Sequence, residues 1–267
     1  MTHRPAVHSA GCGPAPHAGS RDVSDPCYHL PQHVYACRTD DGVIFLDAGH
    51  DRYFGLGGAG VMALPEFVGN WPSGTHSVRS AAETPPAYAE VQRVADNLIE
   101  RGLLRRGWNE ASRAPRSSVP TLAMDLPAGT LEANRTLRPT DWIYFTLACA
   151  QAFWLLKRLP LEAIAARVTA ARRQDTQLDP ARLDLMDVFA HVQVFRRLRR
   201  LFFSEKNRCL LNALALLFFL RRYGHFPLFV IGVKTRPFGA HSWVQHEQFL
   251  LEGDPASVCH FVPILVA

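Results

Sequence analysis

The chain has 267 residues, enough for one or two domains. With 48% hydrophobic and 20% charged residues it has the make-up of a globular protein with a sizeable core, and its net charge of +5 admits an acidic partner without calling for nucleic acid. The first residues lack the apolar run of a secretory signal. The longest apolar stretch, Trp142 to Leu156, is interrupted by Thr146 and Gln151 and is shorter than the roughly 20 residues that span a bilayer, so no membrane association and a cytoplasmic location are expected.

Residues 1–26 are rich in Pro, Gly, Ala, His and Ser without periodicity and read as a disordered tail. From His33 the pattern turns to strands: HVYACRT, a turn at Asp40-Asp41-Gly42, GVIFLDA, a second turn at Gly49-His50-Asp51, and RYFGL. GGAGVMALPEFVGNW looks helical despite its glycines and Pro65. After Pro85-Pro86, residues 87–106 carry Val91, Val94, Ala95, Leu98 and Leu103 as a helical stripe, with Gly102 as its stop and LLRR as a wing or short strand. Three strands followed by helices suit a small winged-helix-like α+β module over 27–107. Residues 108–138 read as a linker, part of which packs on a neighbour.

A second domain, 139–267, opens with helices. Pro139-Thr140-Asp141 is a helix start with Thr140 or Asp141 as the cap. Pro160 breaks that helix, LEAIAARVTAARR forms the next, and Asp179-Pro180 begins a third. Asn207 caps the Leu-rich helix CLLNALALLFFLRRYG, which stops at Gly224. PLFVIGVKT, AHSWVQHEQFLLEG and VCHFVPILV then read as strands, an α+β order.

Among the six cysteines no two stand at CxxC spacing, so neither a zinc knuckle nor a thioredoxin-like motif is expected, and no metal or cofactor is called for. Free thiols are commonly small buried hydrophobes. Cys209 differs in standing at a helix start, where the macrodipole and unpaired amides favour thiolate and could hold an oxyanion. His241 lies in a strand and could serve as its base, with Asp254, flanked by Gly253 and Pro255, as the group orienting the imidazole. Glu247 and Glu252 compete as orienters, and His225, His246 and His260 as bases. Spacing does not choose among them. The run Arg196-Arg197-Leu198-Arg199-Arg200 reads as a solvated helix face, with a docking surface for an acidic leader or a partner as the alternative.

The stretch from about 205 to 254 resembles the leader peptidase of lasso-peptide biosynthesis, the B protein, in the transglutaminase-like cysteine peptidase group. The resemblance is carried by C-L-x-x-A-L-A-L-x-x-x-L-R-R-x-G from Cys209 to Gly224, I-G-V-K at 231–234, P-F-x-A-H-x-W-V from Pro237 to Val244, and Asp254 after an apolar strand. Members often carry Glu where this chain has Gln245. V-I-F-L-D-A-x-x-D-R-Y-F-G-L, Val43 to Leu56, is similar to the precursor-recognition element of the pyrroloquinoline-quinone chaperone type, here fused to the peptidase. The resemblance implies a transglutaminase/papain-like fold and a Cys209–His241–Asp254 triad that hydrolyses a leader–core bond. It also implies leader capture as an added strand in a groove of Tyr53, Phe54, Leu56, Arg93, Asn97 and Arg101, with Asp47 as a turn residue or a further contact. A separate ATP-dependent, asparagine-synthetase-like cyclase would then close a macrolactam. No GxxxxGK[ST] is present, so any ATP requirement falls to that partner. The competing readings are a non-catalytic precursor-binding chaperone and a transglutaminase-like acyltransferase.

Overall fold

A computed structural model of the chain describes residues 28–72, 88–107, 119–123, 135–176, 185–202 and 208–267. The expected tail, the Asp179-Pro180 helix start and the Asn207 cap lie outside the described residues.

The first part is a three-stranded antiparallel sheet, β2 (Val34–Thr39), β3 (Gly42–Asp47) and β4 (Arg52–Leu56), in the order β2-β3-β4. A two-residue strand β1 (Tyr28–His29) precedes it and pairs with β5 (Arg105–Arg106), which is the LLRR segment. Between them come a short helix α1 (Ala59–Ala63), a 3₁₀ turn over Leu64–Phe67 and helix α2 (Tyr88–Glu100). Gly102, at φ 72°, ends α2 as its freedom of conformation allows. Asp47 is a turn residue: its carboxylate accepts from the amides of Gly49 and His50 at 3.1 and 3.2 Å and faces the His50 ring at 2.8 Å. Gly42 is required by close packing, because a Cβ there would lie 2.2 Å from the Leu56 carbonyl oxygen on β4.

Strand alternation splits this sheet between two cores. Val34, Ala36, Val43 and Phe45 point to α1 and α2 and pack with Val61, Leu64, Val91, Ala95 and Leu98. Cys37, Ile44 and Leu46 point the other way, into the core built by the second half of the chain. The expected recognition module therefore has its own core on one face and shares the larger core on the other.

The second half contains α3 (Pro139–Arg158), α4 (Leu161–Thr176), α5 (Leu185–Phe202) and α6 (Cys209–Arg221), then a four-stranded antiparallel sheet in the order β8-β7-β6-β9. Its strands are β6 (Leu228–Lys234), β7 (Gly239–His246), β8 (Phe249–Leu250) and β9 (Val262–Val266), with a one-turn helix α7 (Pro255–Val258) before the last. Helix α6 is buried all round from Ala213 to Leu220, as its unbroken apolar sequence demands. Helix α3 is capped by Arg138 rather than Thr140 or Asp141. Asp141 sits one turn inside, where its carboxylate accepts the Arg138 amide at 2.7 Å. The segment AHSWVQHEQFLLEG is a hairpin, not one strand: Glu247, at φ 49°, turns the chain between β7 and β8. Val258 and Cys259 belong to α7 and its end, so the last strand starts only at Val262.

Within 108–138, Val119 and Leu122 pack on a small third core with Leu228, Val230 and Trp243. Among the described residues, no helix is long and apolar enough to cross a membrane.

Candidate active site

Cys209 is the first residue of α6, after the cap residue Arg208. The first intrahelical bond runs from the Asn212 amide to the Arg208 carbonyl at 2.9 Å, so the amides of the preceding turn have no helical acceptor and face the thiol end. Helix α6 packs against β7, which carries His241 and Ser242. The nearby His241 imidazole pulls the Cys209 thiol down to about 7, against the opposing effect of its partial burial, and the Ser242 hydroxyl and amide pull in the same direction. The Ser242 hydroxyl is buried and completes no hydrogen bond of normal geometry, so its influence is that of a nearby dipole and not of a formed bond.

The other described thiols with resolved shifts behave oppositely. Burial alone pushes Cys37 up to about 12 and Cys149 up to about 11. Cys209 is thus the thiol among these three that sits where thiolate is favoured, and thiolate is the nucleophile.

His241 is partly exposed. Its ring lies nearly parallel to Trp243, 19° between planes and 6.4 Å between centroids, and 5.5 Å from the Phe261 ring. Opposite it on β6 stands Gly232, where a Cβ would come within 2.6 Å of the Trp243 ring and 2.9 Å of Phe261. The absence of a side chain at 232 is what lets the indole and Phe261 close over the strand beside His241.

Asp254 is exposed and caps α7. Its carboxylate accepts from the Ala256 amide at 3.1 Å and the Ser257 hydroxyl at 2.8 Å, which hold it below the usual carboxylate range. It makes no hydrogen bond to His241. The register nonetheless aims it there. β7 and β8 pair Gln245 with Leu250, and the Leu251 amide bonds the Val244 carbonyl at 3.0 Å. Continued outward, that ladder would set Asp254 opposite His241, but the chain turns away at Gly253, φ 109°.

The competing residues are buried, paired or placed elsewhere. His225 and His246 are buried, and burial lowers both, His225 to about 4. Glu252 pairs with Arg199 at 2.6 Å, and Glu247 forms the hairpin turn. His260 is exposed beyond α7. The arginine run is less a solvated face than the sequence suggests. Arg196 donates to the Leu251 carbonyl at 3.1 Å, Arg197 to the Arg135 carbonyl at 3.0 Å, and Arg199 holds Glu252, which leaves Arg200 exposed.

The groove residues divide between the two faces of the first sheet. Phe54 and Leu56 pack with the core of α2, and Arg93, Asn97 and Arg101 are exposed on that helix and just beyond its end. Tyr53 points to the opposite face, paired with Leu46 and packed on the larger core, toward Cys209. Among the described residues β4 is hydrogen-bonded only to β3, which leaves its outer edge open.

Sequence reasoning missed a buried polar cluster at the far end of α6. Asp141, fully buried, accepts from Arg135 at 3.0 Å and from the Tyr223 hydroxyl. Arg135 also meets the Nε2 of His191, whose Nδ1 lies 2.8 Å from the Asp187 carbonyl and 3.2 Å from the Nε2 of His225. Asp187, His191 and His225 form the one group among the described residues whose donor atoms converge, within 4.8 Å, closely enough for a metal ion. They do not fit one. A guanidinium only donates, so the His191 Nε2 accepts, the ring proton sits on Nδ1, and no lone pair there faces the would-be metal. The only signal in the sequence was the i, i+4 spacing of Asp187 and His191, which is common on helices.

A depressed thiol at a helix start, close to a histidine on a four-stranded antiparallel sheet, is the arrangement of a thiol-dependent acyl-transfer site. Residues 146–266 match the family model described as Transglutaminase-like superfamily. This part of the chain is similar to that family. Cys209 and His241 both lie within the match, and so does Asp254. The match does not extend to residues 28–107, and the winged-helix likeness expected there has no counterpart in it. Searches of the curated proteins and of the solved structures return no match. A transglutaminase-like domain is compatible with a cysteine peptidase or an acyltransferase.

Proposed function

We propose that the protein is a leader peptidase of lasso-peptide biosynthesis. It binds a ribosomally made precursor through its leader and hydrolyses the leader–core bond. The observation that carries this reading is the Cys209 thiol at the start of α6, drawn down to about 7 by the nearby His241. The transglutaminase-like match over 146–266 and the open edge of β4 support it.

The leader adds as a strand to the outer edge of β4, with main-chain hydrogen bonds for affinity and the Phe54, Leu56, Arg93, Asn97 and Arg101 side for selectivity. At the site the thiol proton passes to His241, and Sγ attacks the scissile carbonyl carbon. The free amides of the first turn of α6 stabilise the oxyanion. His241 returns its proton to the leaving amine, which frees the core amino terminus, and water hydrolyses the thioester to release the leader as a carboxylate. Asp254 orients His241 once it gives up its contacts with Ala256 and Ser257. A partner ATP-dependent cyclase closes the macrolactam.

The test is incubation of the full chain with the precursor, with and without the cyclase. Wild-type protein should cut, and Cys209→Ala should lose at least a thousandfold of the rate, the scale expected for a nucleophile, while leader binding persists. Cutting by Cys209→Ala at the wild-type rate would rule the proposal out. Binding without cutting by the wild type would make the protein a delivery chaperone. Acyl transfer to an amine uses the same thioester, and mass spectrometry separates it by a cross-linked product heavier than the cleaved pieces.

A further inference from the structure

Tyr53 stands apart from the rest of β4. Its neighbours Phe54 and Leu56 face α2, but strand alternation turns Tyr53 to the face that covers the transglutaminase-like domain. There its ring meets Phe238 edge-on, 5.7 Å between centroids and 61° between planes. Phe238 lies in the turn that leads directly into the strand of His241, and it is 57% exposed.

Both residues are held in place from outside the site. Asp41, in the β2–β3 turn, accepts from the Thr235 hydroxyl at 2.8 Å and pairs with Arg236 at 2.8 Å, which ties the β6–β7 turn to the first sheet. On the other side the Leu161 amide donates to the Asp51 carboxylate at 3.1 Å and the Glu162 amide to the Ala48 carbonyl at 2.9 Å. The sheet is therefore anchored to the start of α4 as well. Burial, with the Cys209 thiol next, pushes the Tyr53 phenol up to about 12, so it stays neutral beside the nucleophile.

We infer that Tyr53 and Phe238 together form an aromatic wall of the reaction cleft, which contacts the peptide beside the scissile bond and selects an apolar side chain there. The inference rests on the peptidase reading. It makes Tyr53 a specificity-determining residue supplied to the thiol by the N-terminal sheet. One strand then serves two tasks: its open edge and Phe54–Leu56 side take the leader, and its Tyr53 side lines the cleft.

The experiment labels Cys209 of the full chain with benzyloxycarbonyl-phenylalanyl chloromethyl ketone, its glycyl counterpart and iodoacetamide, and follows the Cys209 peptide by mass spectrometry. Wild-type protein should react about tenfold faster with the phenylalanyl than with the glycyl reagent, the discrimination an apolar contact supplies. Tyr53→Ala and Phe238→Ala should bring that ratio close to one, and Tyr53→Phe should keep it. Phe238 is exposed, so its variant remains informative if Tyr53→Ala fails to fold. A ratio unchanged within twofold in the Ala variants overturns the wall while leaving the peptidase reading intact. Labelling by iodoacetamide but by neither ketone overturns the peptidase reading, and the wall with it.

Discussion

Helix α6 carries a polar cluster at each end, and the two behave in opposite ways. At its start, Cys209 meets His241 and Ser242 at a partly exposed sheet edge. The free amides of the first turn and the neighbouring dipoles all favour a negative charge on sulfur. At its end, Gly224 at φ 81° closes the helix. The Gly224 amide bonds the Arg221 carbonyl at 3.0 Å and the His225 amide bonds the Leu220 carbonyl at 3.1 Å. That turn drives His225 into the interior against His191, where burial keeps both imidazoles neutral. Both ends hold histidines close to polar partners. What separates a reactive site from a structural one is whether the nearby groups stabilise a charge or are already spent on each other.

The largest effect that would sharpen this contrast is expected at Asp141. Asp141→Ala leaves Arg135 and Tyr223 without their buried acceptor and should destabilise the fold by about 3–5 kcal/mol, measured by chemical denaturation. Any loss of activity should then track unfolding.

Acid should separate the two ends next. The folded-state value for His225, about 4, lies below the ordinary 6.5, so the unfolded chain binds the extra proton first. Stability from this group is complete above about 6.5 and falls as the pH drops toward 4, by about 1–3 kcal/mol. His225→Leu should flatten that part of the stability–pH curve. An unchanged curve would break the account of the buried end.

At the other end, alkylation of Cys209 should rise with pH through a midpoint near 7. His241→Ala removes the largest lowering influence. The midpoint should move toward the ordinary 9.0, with the neutral-pH rate falling about tenfold. A midpoint that stays near 7 would detach the thiol from His241.

The smallest effect is expected at Asp254. Asp254→Ala should reduce peptide cleavage severalfold, less than the loss at His241, with the circular dichroism spectrum unchanged. Wild-type turnover would make Asp254 a helix cap and nothing more.

Gln245 shows where sequence reading reached its limit. As a position where Glu is common among the resembling peptidases and which is not the proposed orienter, it reads as a tolerated difference. In the fold it is fully buried, and its amide nitrogen donates to the Pro120 carbonyl at 2.7 Å and the Glu247 carbonyl at 2.6 Å. A carboxylate there would face two carbonyls. Nothing in the local sequence marks this, because Pro120 arrives from another part of the chain.

The amino-acid sequence by itself determined the local elements. The β2–β3–β4 alternation, the Gly102 and Gly224 stops and the Leu-rich helix behind Cys209 follow from periodicity and turn chemistry, which act over a few residues, whereas the pairing of Cys209 with His241 is implied only by the resemblance. Only the tertiary structure decided which histidine of several meets the thiol, that Asp254 is engaged by α7, and that Asp141, His191 and His225 gather at the far end of α6. It also decided that Tyr53 packs on the larger core and meets Phe238. The reason is the same in each case. These outcomes depend on contacts between segments distant in the chain, and on burial, which no single segment encodes.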